Sequence, residues 1–163
     1  MAKGKLCIDI GGTKIIFAII DGSGHIIKSK RIDTPKLKSL FLKALSENIS
    51  NYKAFSNGII NVSMAGRVDN SGKVIFSPNL PIAGFNFIEF MKRFSRKVTI
   101  ENDGNCFGIY QLYAGGLKKY KSGLIIVCRR HNRHRRCEEV HRHTGDIFPS
   151  CRSGDRVHMA PLP

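Results

Sequence analysis

Two short apolar runs joined by a glycine-containing turn are the feature that most restricts the fold of this chain. Residues 6–10 and 15–21 are rich in isoleucine, and Gly11 and Gly12 lie between them. This pattern predicts a β-hairpin. Glycine lets backbone N–H groups approach an anion because no Cβ stands in the way. The turn is therefore either a plain connection or a phosphate-binding loop, and the hairpin alone leaves both open.

Three polar side chains around this turn are of the types that bind a phosphate and its metal. Thr13 adds a hydroxyl donor and Lys14 adds a positive charge. Asp9 lies on the strand just before the turn, where a carboxylate can hold a magnesium ion through water. We therefore treat residues 9–14 as a candidate site for a phosphate and its metal.

A second polar segment follows a later strand. Residues 98–101 predict a short strand, and Asn102 and Asp103 come directly after it. A carboxylate at a strand end is well suited to act as a general base, and the neighbouring amide can bind hydroxyls. Asn and Asp are also favoured at helix N-termini for structural reasons alone. Taken by itself, this segment favours the structural interpretation, a helix N-terminus.

Four segments, in this order, give the chain a resemblance to the ROK family of the superfamily of sugar kinases and actin. They are Asp-Ile-Gly-Gly-Thr-Lys at 9–14, Gly-Arg-Val-Asp at 66–69, Ser-Pro-Asn-Leu at 77–80 and Asn-Asp-Gly-Asn at 102–105. The resemblance covers residues 5–127. It departs from the family pattern at Gly104, Cys106 and Gln111, where the family usually has alanines and then a glutamate.

The resemblance implies an α/β fold, a ribonuclease H-like or actin-like ATPase lobe with the order βββαβαβα, and a second lobe that is largely missing. It implies a lobe over residues 1–120, and the start of a second lobe with an atypical tail over 121–163. The implied activity is ATP-dependent phosphorylation of a hexose or N-acetylhexosamine, with ATP and Mg²⁺ as cofactors. The implied site residues are Asp103 as catalytic base, Asp9 for water-held magnesium, Gly11, Gly12, Thr13 and Lys14 for the ATP phosphates, and Gly66, Arg67, Asn79, Asn102 and Asp103 for the sugar.

The secondary-structure pattern agrees with that order. A third strand is predicted over 25–33, further strands over 58–63 and 73–76, and helices over 85–94 and 106–114. Pro35 opens another helix, whose expected core stripe is Leu37, Leu40, Phe41, Ala44, Leu45 and Ile49.

The composition changes sharply after residue 127. Residues 1–127 contain all fifteen lysines and four arginines, whereas residues 128–163 contain eight arginines and no lysine. The family has a Gly-Thr-Gly-x-Gly phosphate loop at this point. Arg133, His134 and Arg135 can be encoded as CGG-CAC-CGG, which one base later reads Gly-Thr-Gly. We therefore hypothesise a frameshift near residue 128, and we expect this chain to be inactive as a kinase.

The same tail has a second interpretation. Cys128, His131, His134 and Cys137 could be written as a zinc ligand set. Zinc signatures usually pair their ligands and separate the pairs by a loop, so the even spacing among arginines favours a chance arrangement.

The net charge of the chain indicates which kinds of partner it can attract. The formal net charge is +15, which attracts anions, including nucleic acid. The lysines are scattered, however, which favours a solvated basic surface. A nucleic-acid-binding protein and a non-catalytic remnant of the actin-like fold remain the alternatives to a kinase. No run approaches a membrane span. Lys3 and Lys5 precede a strand with an acid in it, so we expect no signal peptide and a cytoplasmic location. The sequence leaves a homodimer open.

Overall fold

A computed structural model describes residues 3–120, 123–130, 135–143, 146–149 and 158–161, with side chains for residues 3–120. The chain divides into two compact units, Met1–Asp103 and Gly104–Pro163.

The first unit is built on a five-stranded mixed sheet. Its elements, in chain order, are β1 (Gly4–Ile10), β2 (Lys14–Ile20), β3 (Ile26–Asp33), α1 (Lys38–Tyr52), β4 (Ser56–Met64), β5 (Arg67–Val68), β6 (Val74–Phe76), α2 (Phe87–Lys92) and β7 (Lys97–Asn102). A single 3₁₀ turn, Lys53–Phe55, follows α1. The strand order in the sheet is β3-β2-β1-β4-β7. The first three strands are antiparallel, whereas β4 runs parallel to β1, and β7 runs parallel to β4. The predicted hairpin is confirmed.

One face of this sheet forms the core with the two helices. On β1 the alternate residues Leu6, Ile8 and Ile10 are buried, as the two-residue period of a strand requires. Phe41 and Leu45 of α1 are fully buried against them. Burial of each such side chain contributes about 1.5–3 kcal/mol, so this layer fixes the hairpin to the rest of the unit.

The predicted core stripe of α1 is partly wrong. Leu37 and Leu40 are 65% and 51% exposed. The helix begins at Lys38, so Leu37 precedes it, and Leu40 is rotated by about 100° from Phe41 because a helix has 3.6 residues per turn. Asn48 and Tyr52 complete the buried face instead.

Basic side chains lie along one edge of the sheet. β3 is an edge strand, and its Lys28, Lys30 and Arg31 are exposed. The Lys28 ammonium lies 3.9 Å from the centroid of the Phe55 ring. Charged side chains on an edge strand oppose pairing with another sheet. Part of the positive charge therefore has a structural explanation.

A small hairpin of β5 and β6 follows β4. The carboxylate of Asp69 accepts hydrogen bonds from the backbone N–H of Ser71 at 2.9 Å and of Lys73 at 3.0 Å. The predicted strand over 73–76 is confirmed as β6.

The second unit contains most of α3 (Asp103–Tyr113), which begins at Asp103 rather than at the predicted Cys106. Its four strands are β8 (Gly123–Arg130), β9 (Arg135–His143), β10 (Asp146–Pro149) and β11 (His158–Pro161), in the antiparallel order β10-β9-β8-β11. His131 and His134 of the possible zinc set, and two of the three residues of the frameshift hypothesis, lie outside the described residues. Among the helices described, none has the length and apolar character needed to cross a membrane.

Candidate active site

The candidate site lies at the carboxyl ends of three neighbouring strands. In the sheet register, Ile10 at the end of β1 faces Met64 at the end of β4, and Met64 faces Asn102 at the end of β7. Neighbouring strands are about 4.8 Å apart, so Ile10 and Asn102 are separated by about 10 Å. In α/β sheets ligands bind where parallel strands end. The glycine turn, the loop at Gly66 and Asp103 each begin at this edge.

Asp9 has a partner that the sequence analysis missed. Its register neighbour on β4 is Ser63, whose hydroxyl donates a 2.9 Å hydrogen bond to the Asp9 carboxylate. Asp9 is exposed, and it forms no ion pair with a lysine or arginine in residues 3–120. Ser63 could have been noticed in the sequence as a polar residue at the end of a strand predicted to be buried.

The turn between β1 and β2 is closed by a 2.9 Å hydrogen bond from the Gly11 N–H to the Lys14 carbonyl. Thr13 and Lys14 are exposed, whereas Gly11 and Gly12 are half-buried. Within the part of the chain that the structure describes, the N–H groups of Gly12 and Thr13 donate to no protein acceptor. The turn therefore offers two backbone donors and one ammonium group to an anion.

The carbonyl side of this turn is held by the segment that follows β3. The Thr34 hydroxyl donates to the Gly11 carbonyl at 2.7 Å, and the Thr34 N–H donates to the Thr13 carbonyl at 3.0 Å. The ammonium of Lys36 donates to the Gly12 carbonyl. Neither Thr34 nor Lys36 was predicted as a site residue, because neither is near the turn in the sequence.

Gly12 lies directly against Asn79. A Cβ at position 12 would be 2.5 Å from the Asn79 Cβ, far inside ordinary van der Waals contact. The structure thus brings together one residue predicted for the ATP phosphates and one predicted for the sugar. It also gives Gly12 a steric reason to be glycine that is independent of phosphate.

Gly66 and Asn102 are joined by a hydrogen bond. The Asn102 side-chain amide donates to the Gly66 carbonyl at 3.0 Å. Gly66 is buried, and a Cβ there would lie 2.8 Å from the Phe76 carbonyl oxygen. Asp103, which is half-buried, follows Asn102 as the first residue of α3. Arg67 is exposed on β5, and its guanidinium forms no ion pair within residues 3–120.

The donor set fits a magnesium ion that keeps most of its own water. No cluster of three or more His, Cys, Asp or Glu side chains occurs among the described residues. Mg²⁺ is typically held by one or two carboxylates, with waters and substrate phosphates as its other ligands. The exposed Asp9 carboxylate beside a turn with free N–H donors is suited to that arrangement.

The hairpin, the parallel strands that follow it and the flanking helices define the class of the first unit as an actin-like α/β lobe. The ROK hexokinase of Thermus thermophilus superposes with a TM-score of 0.72 at 21% identity, over 91% of this chain and 50% of that one. The ROK family glucokinase of Streptomyces griseus, solved with glucose and AMPPNP, superposes with a TM-score of 0.65 at 20% identity, over 96% of this chain and 48% of that one. The predicted fold class is confirmed.

The ROK family model matches residues 5–128, and the chain belongs to the ROK family. It is 27% identical over 125 residues to the N-acetyl-D-glucosamine kinase of Salmonella arizonae. That match covers 72% of this chain and 41% of the relative, so the chain spans less than half of the length of the curated relatives it matches. The predicted family is confirmed.

Proposed function

We propose that this chain carries the phosphate-binding and sugar-binding lobe of an ATP-dependent hexose kinase of the glucokinase or N-acetylhexosamine kinase type. The observation that supports it best is the row formed by Ile10, Met64 and Asn102, which gathers three of the four motif segments at one edge of the sheet. The substrates that the similar kinases are named for support the same assignment. We propose a cytoplasmic location for the protein.

Phosphoryl transfer mainly requires that the reactants are positioned and the phosphate charge is neutralised. The residues of the turn and of β1 have the following roles. The N–H groups of Gly12 and Thr13, with the Lys14 ammonium, bind phosphate oxygens. Asp9, oriented by Ser63, binds the magnesium ion through water. Bound ATP and Mg²⁺ supply the transferable phosphoryl group and neutralise its charge.

The sugar lies on the neighbouring segments. Asp103 accepts the proton of the attacking sugar hydroxyl as general base. The Asn102, Asn79 and Arg67 side chains and the Gly66 backbone bind the other hydroxyls. The contact between Gly12 and Asn79 keeps the phosphate-binding turn and the sugar-binding loop at a fixed spacing.

Amide chemical shifts of the ¹⁵N-labelled 163-residue chain test this proposal. Magnesium ATP should shift the amide signals of residues 11–14, and glucose or N-acetylglucosamine should shift those of Gly66 and Asn102. Sorbitol, an open-chain polyol, serves as the control for the sugar. Absence of both responses at millimolar ligand would refute the proposal.

A pair of lysine variants separates a built site from general charge attraction. Lys14→Ala should weaken ATP binding by about tenfold because it removes a charged donor. Lys30→Ala removes the same charge from the edge strand β3, where no phosphate site is proposed, and should leave binding unchanged. Equal losses in both variants would mean that ATP responds only to net charge.

For the 163-residue chain itself we propose very low or no kinase turnover. Residues 128–137 replace the glycine-rich phosphate loop that the family resemblance implies, and phosphoryl transfer to a sugar requires a closed, water-excluding cleft. A coupled ADP assay with glucose, N-acetylglucosamine and N-acetylmannosamine measures this. Turnover of about 1–100 s⁻¹, the usual kinase range, would contradict the proposed inactivity and leave the proposed activity standing.

The net charge of +15 favours one other candidate, binding to nucleic acid. Such binding would be independent of base sequence and strongly salt-dependent. A gel-shift assay at low salt with a random duplex tests this candidate, and the absence of a shift would exclude it.

A further inference from the structure

We propose that Thr34 and Lys36 are positioning residues that hold the glycine turn with its N–H groups directed at a polyphosphate. This inference rests on the proposed function, because it adds two residues to the same phosphate site. It assigns a role to a segment that lies outside all four family-like motifs.

Thr34 is the centre of this arrangement. The residue is only 5% exposed, and its hydroxyl bonds to the Gly11 carbonyl across a sequence separation of 23 residues. Its hydroxyl and its backbone N–H donate to the carbonyls of Gly11 and Thr13, one on each side of Gly12. A buried hydroxyl with a partner stabilises one arrangement, since breaking the bond leaves a desolvated group unpaired.

Lys36 completes the set from the same segment. Its ammonium donates to the Gly12 carbonyl, between the two carbonyls bound by Thr34. Three successive carbonyl groups of the turn are thereby bound by the chain between β3 and α1. Lys36 also brings a second positive charge, besides that of Lys14, to the turn.

The consequence for the N–H groups follows from peptide geometry. In a planar trans peptide the C=O and the following N–H point in opposite directions. Binding the carbonyls of Gly11 and Gly12 to the 34–36 segment therefore turns the N–H groups of Gly12 and Thr13 away from it. Successive N–H groups that share a direction form a concave binding site for an anion.

Glycine makes this support necessary. Gly11 and Gly12 can adopt many backbone conformations, so a turn without external contacts would sample several N–H orientations. Binding costs less conformational entropy when the protein's donors are already fixed in the bound arrangement. The 34–36 segment thus raises the affinity of the turn for polyphosphate, although Thr34 itself does not contact the ligand.

Four variants of the full chain test the proposal, with sodium tripolyphosphate as the probe and ¹⁵N amide shifts as the readout. Thr34→Val removes the hydroxyl at nearly constant shape and should weaken binding by about tenfold. It should also move the ¹³C′ resonance of Gly11, which loses its donor, whereas Thr34→Ser should restore both. Lys36→Met should weaken binding as well. Ser46→Ala is the matched control, because it removes a half-buried hydroxyl that donates to the Leu42 carbonyl at 2.9 Å in α1.

The outcomes separate the two levels of the proposal. If tripolyphosphate leaves the Gly12 and Thr13 amides of the unmodified chain unshifted, the proposed phosphate site itself is wrong. If the unmodified chain binds and Thr34→Val binds equally well, the positioning role is wrong while the site stands. Should Thr34→Val lose its folded amide spectrum, Lys36→Met decides, and unchanged affinity in that variant overturns the inference.

Discussion

Replacing Gly12 by alanine should disturb the loop that carries Asn79. The added Cβ would lie 2.5 Å from the Asn79 Cβ, whereas ordinary contacts begin at 3.4 Å. One of the two segments must therefore move by about 1 Å. Overpacking of this kind costs about 1–3 kcal/mol. For a chain of this length, that lowers Tm by about 2–4 °C per kcal/mol.

A double-mutant cycle tests whether the Asn79 Cβ causes this loss of stability. Asn79→Gly removes the Cβ that the new methyl group would meet, so Gly12→Ala should cost less in that background, with a coupling energy of about 1 kcal/mol. Urea unfolding of the four chains measures it. Gly22→Ala in the turn between β2 and β3 is the matched control, because nothing lies within 4 Å of a Cβ built there.

The reasoning would be refuted by additivity. If Gly12→Ala destabilises the unmodified chain and the Asn79→Gly variant equally, the contact between the two segments does not set the cost. A loss of tripolyphosphate binding in both backgrounds would then show that Gly12 is required for anion access instead.

Four further predictions concern Ser63, Asp69, Cys7 and codon 128. Ser63→Ala frees one oxygen of Asp9 and should weaken magnesium-dependent ATP binding by about fivefold, measured by calorimetry with and without EDTA; an equal loss in EDTA would contradict it. Hydrogen bonds from the Ser71 hydroxyl and the Lys73 N–H lower the pKa of Asp69. The stability difference between the unmodified chain and Asp69→Ala should thus be full above the ordinary aspartate pKa and vanish as pH falls through the lowered value, and a pH-independent difference in urea unfolding would refute this. Burial raises the pKa of the Cys7 thiol, so mass spectrometry should find iodoacetamide labelling at pH 8 slower than that of glutathione; an equal rate would be evidence against it. Sequencing the DNA around codon 128 should find that one inserted or deleted base restores a glycine-rich frame, and the frameshift hypothesis fails if none does.

The sequence predicted the elements that depend on local pattern. The hairpin of β1 and β2 was readable because β-branched runs flank two glycines, and Phe41 and Leu45 were readable from helical spacing. Leu40 was not, because spacing alone does not give the rotation of a helix on its sheet. Asn48 lies on the buried face of α1, but a polar residue cannot be recognised as part of a core from an apolar pattern.

The candidate site was predictable only where a motif marked it. Asp9 and Asp103 stand in motifs, and the register of the sheet supplies the reason why their segments meet. The contact of Ser63 with Asp9 joins residues that no local pattern connects. The same holds for Thr34, whose hydroxyl is indistinguishable in the sequence from that of any threonine before a proline. The assigned roles and the division at residues 120 and 121 stay predictions.

The parallel pairing of β1 with β4 has a consequence for the order of folding. The β1–β2–β3 meander consists of neighbouring strands and can form as soon as residue 33 is available. The bond between Ser63 and Asp9 spans 54 residues, and that between Asn102 and Gly66 spans 36. Contacts of such separation form slowly, because a long loop must close first. We therefore expect the meander to form before the edge that gathers the motifs, and the candidate site to be complete only after β7 has docked.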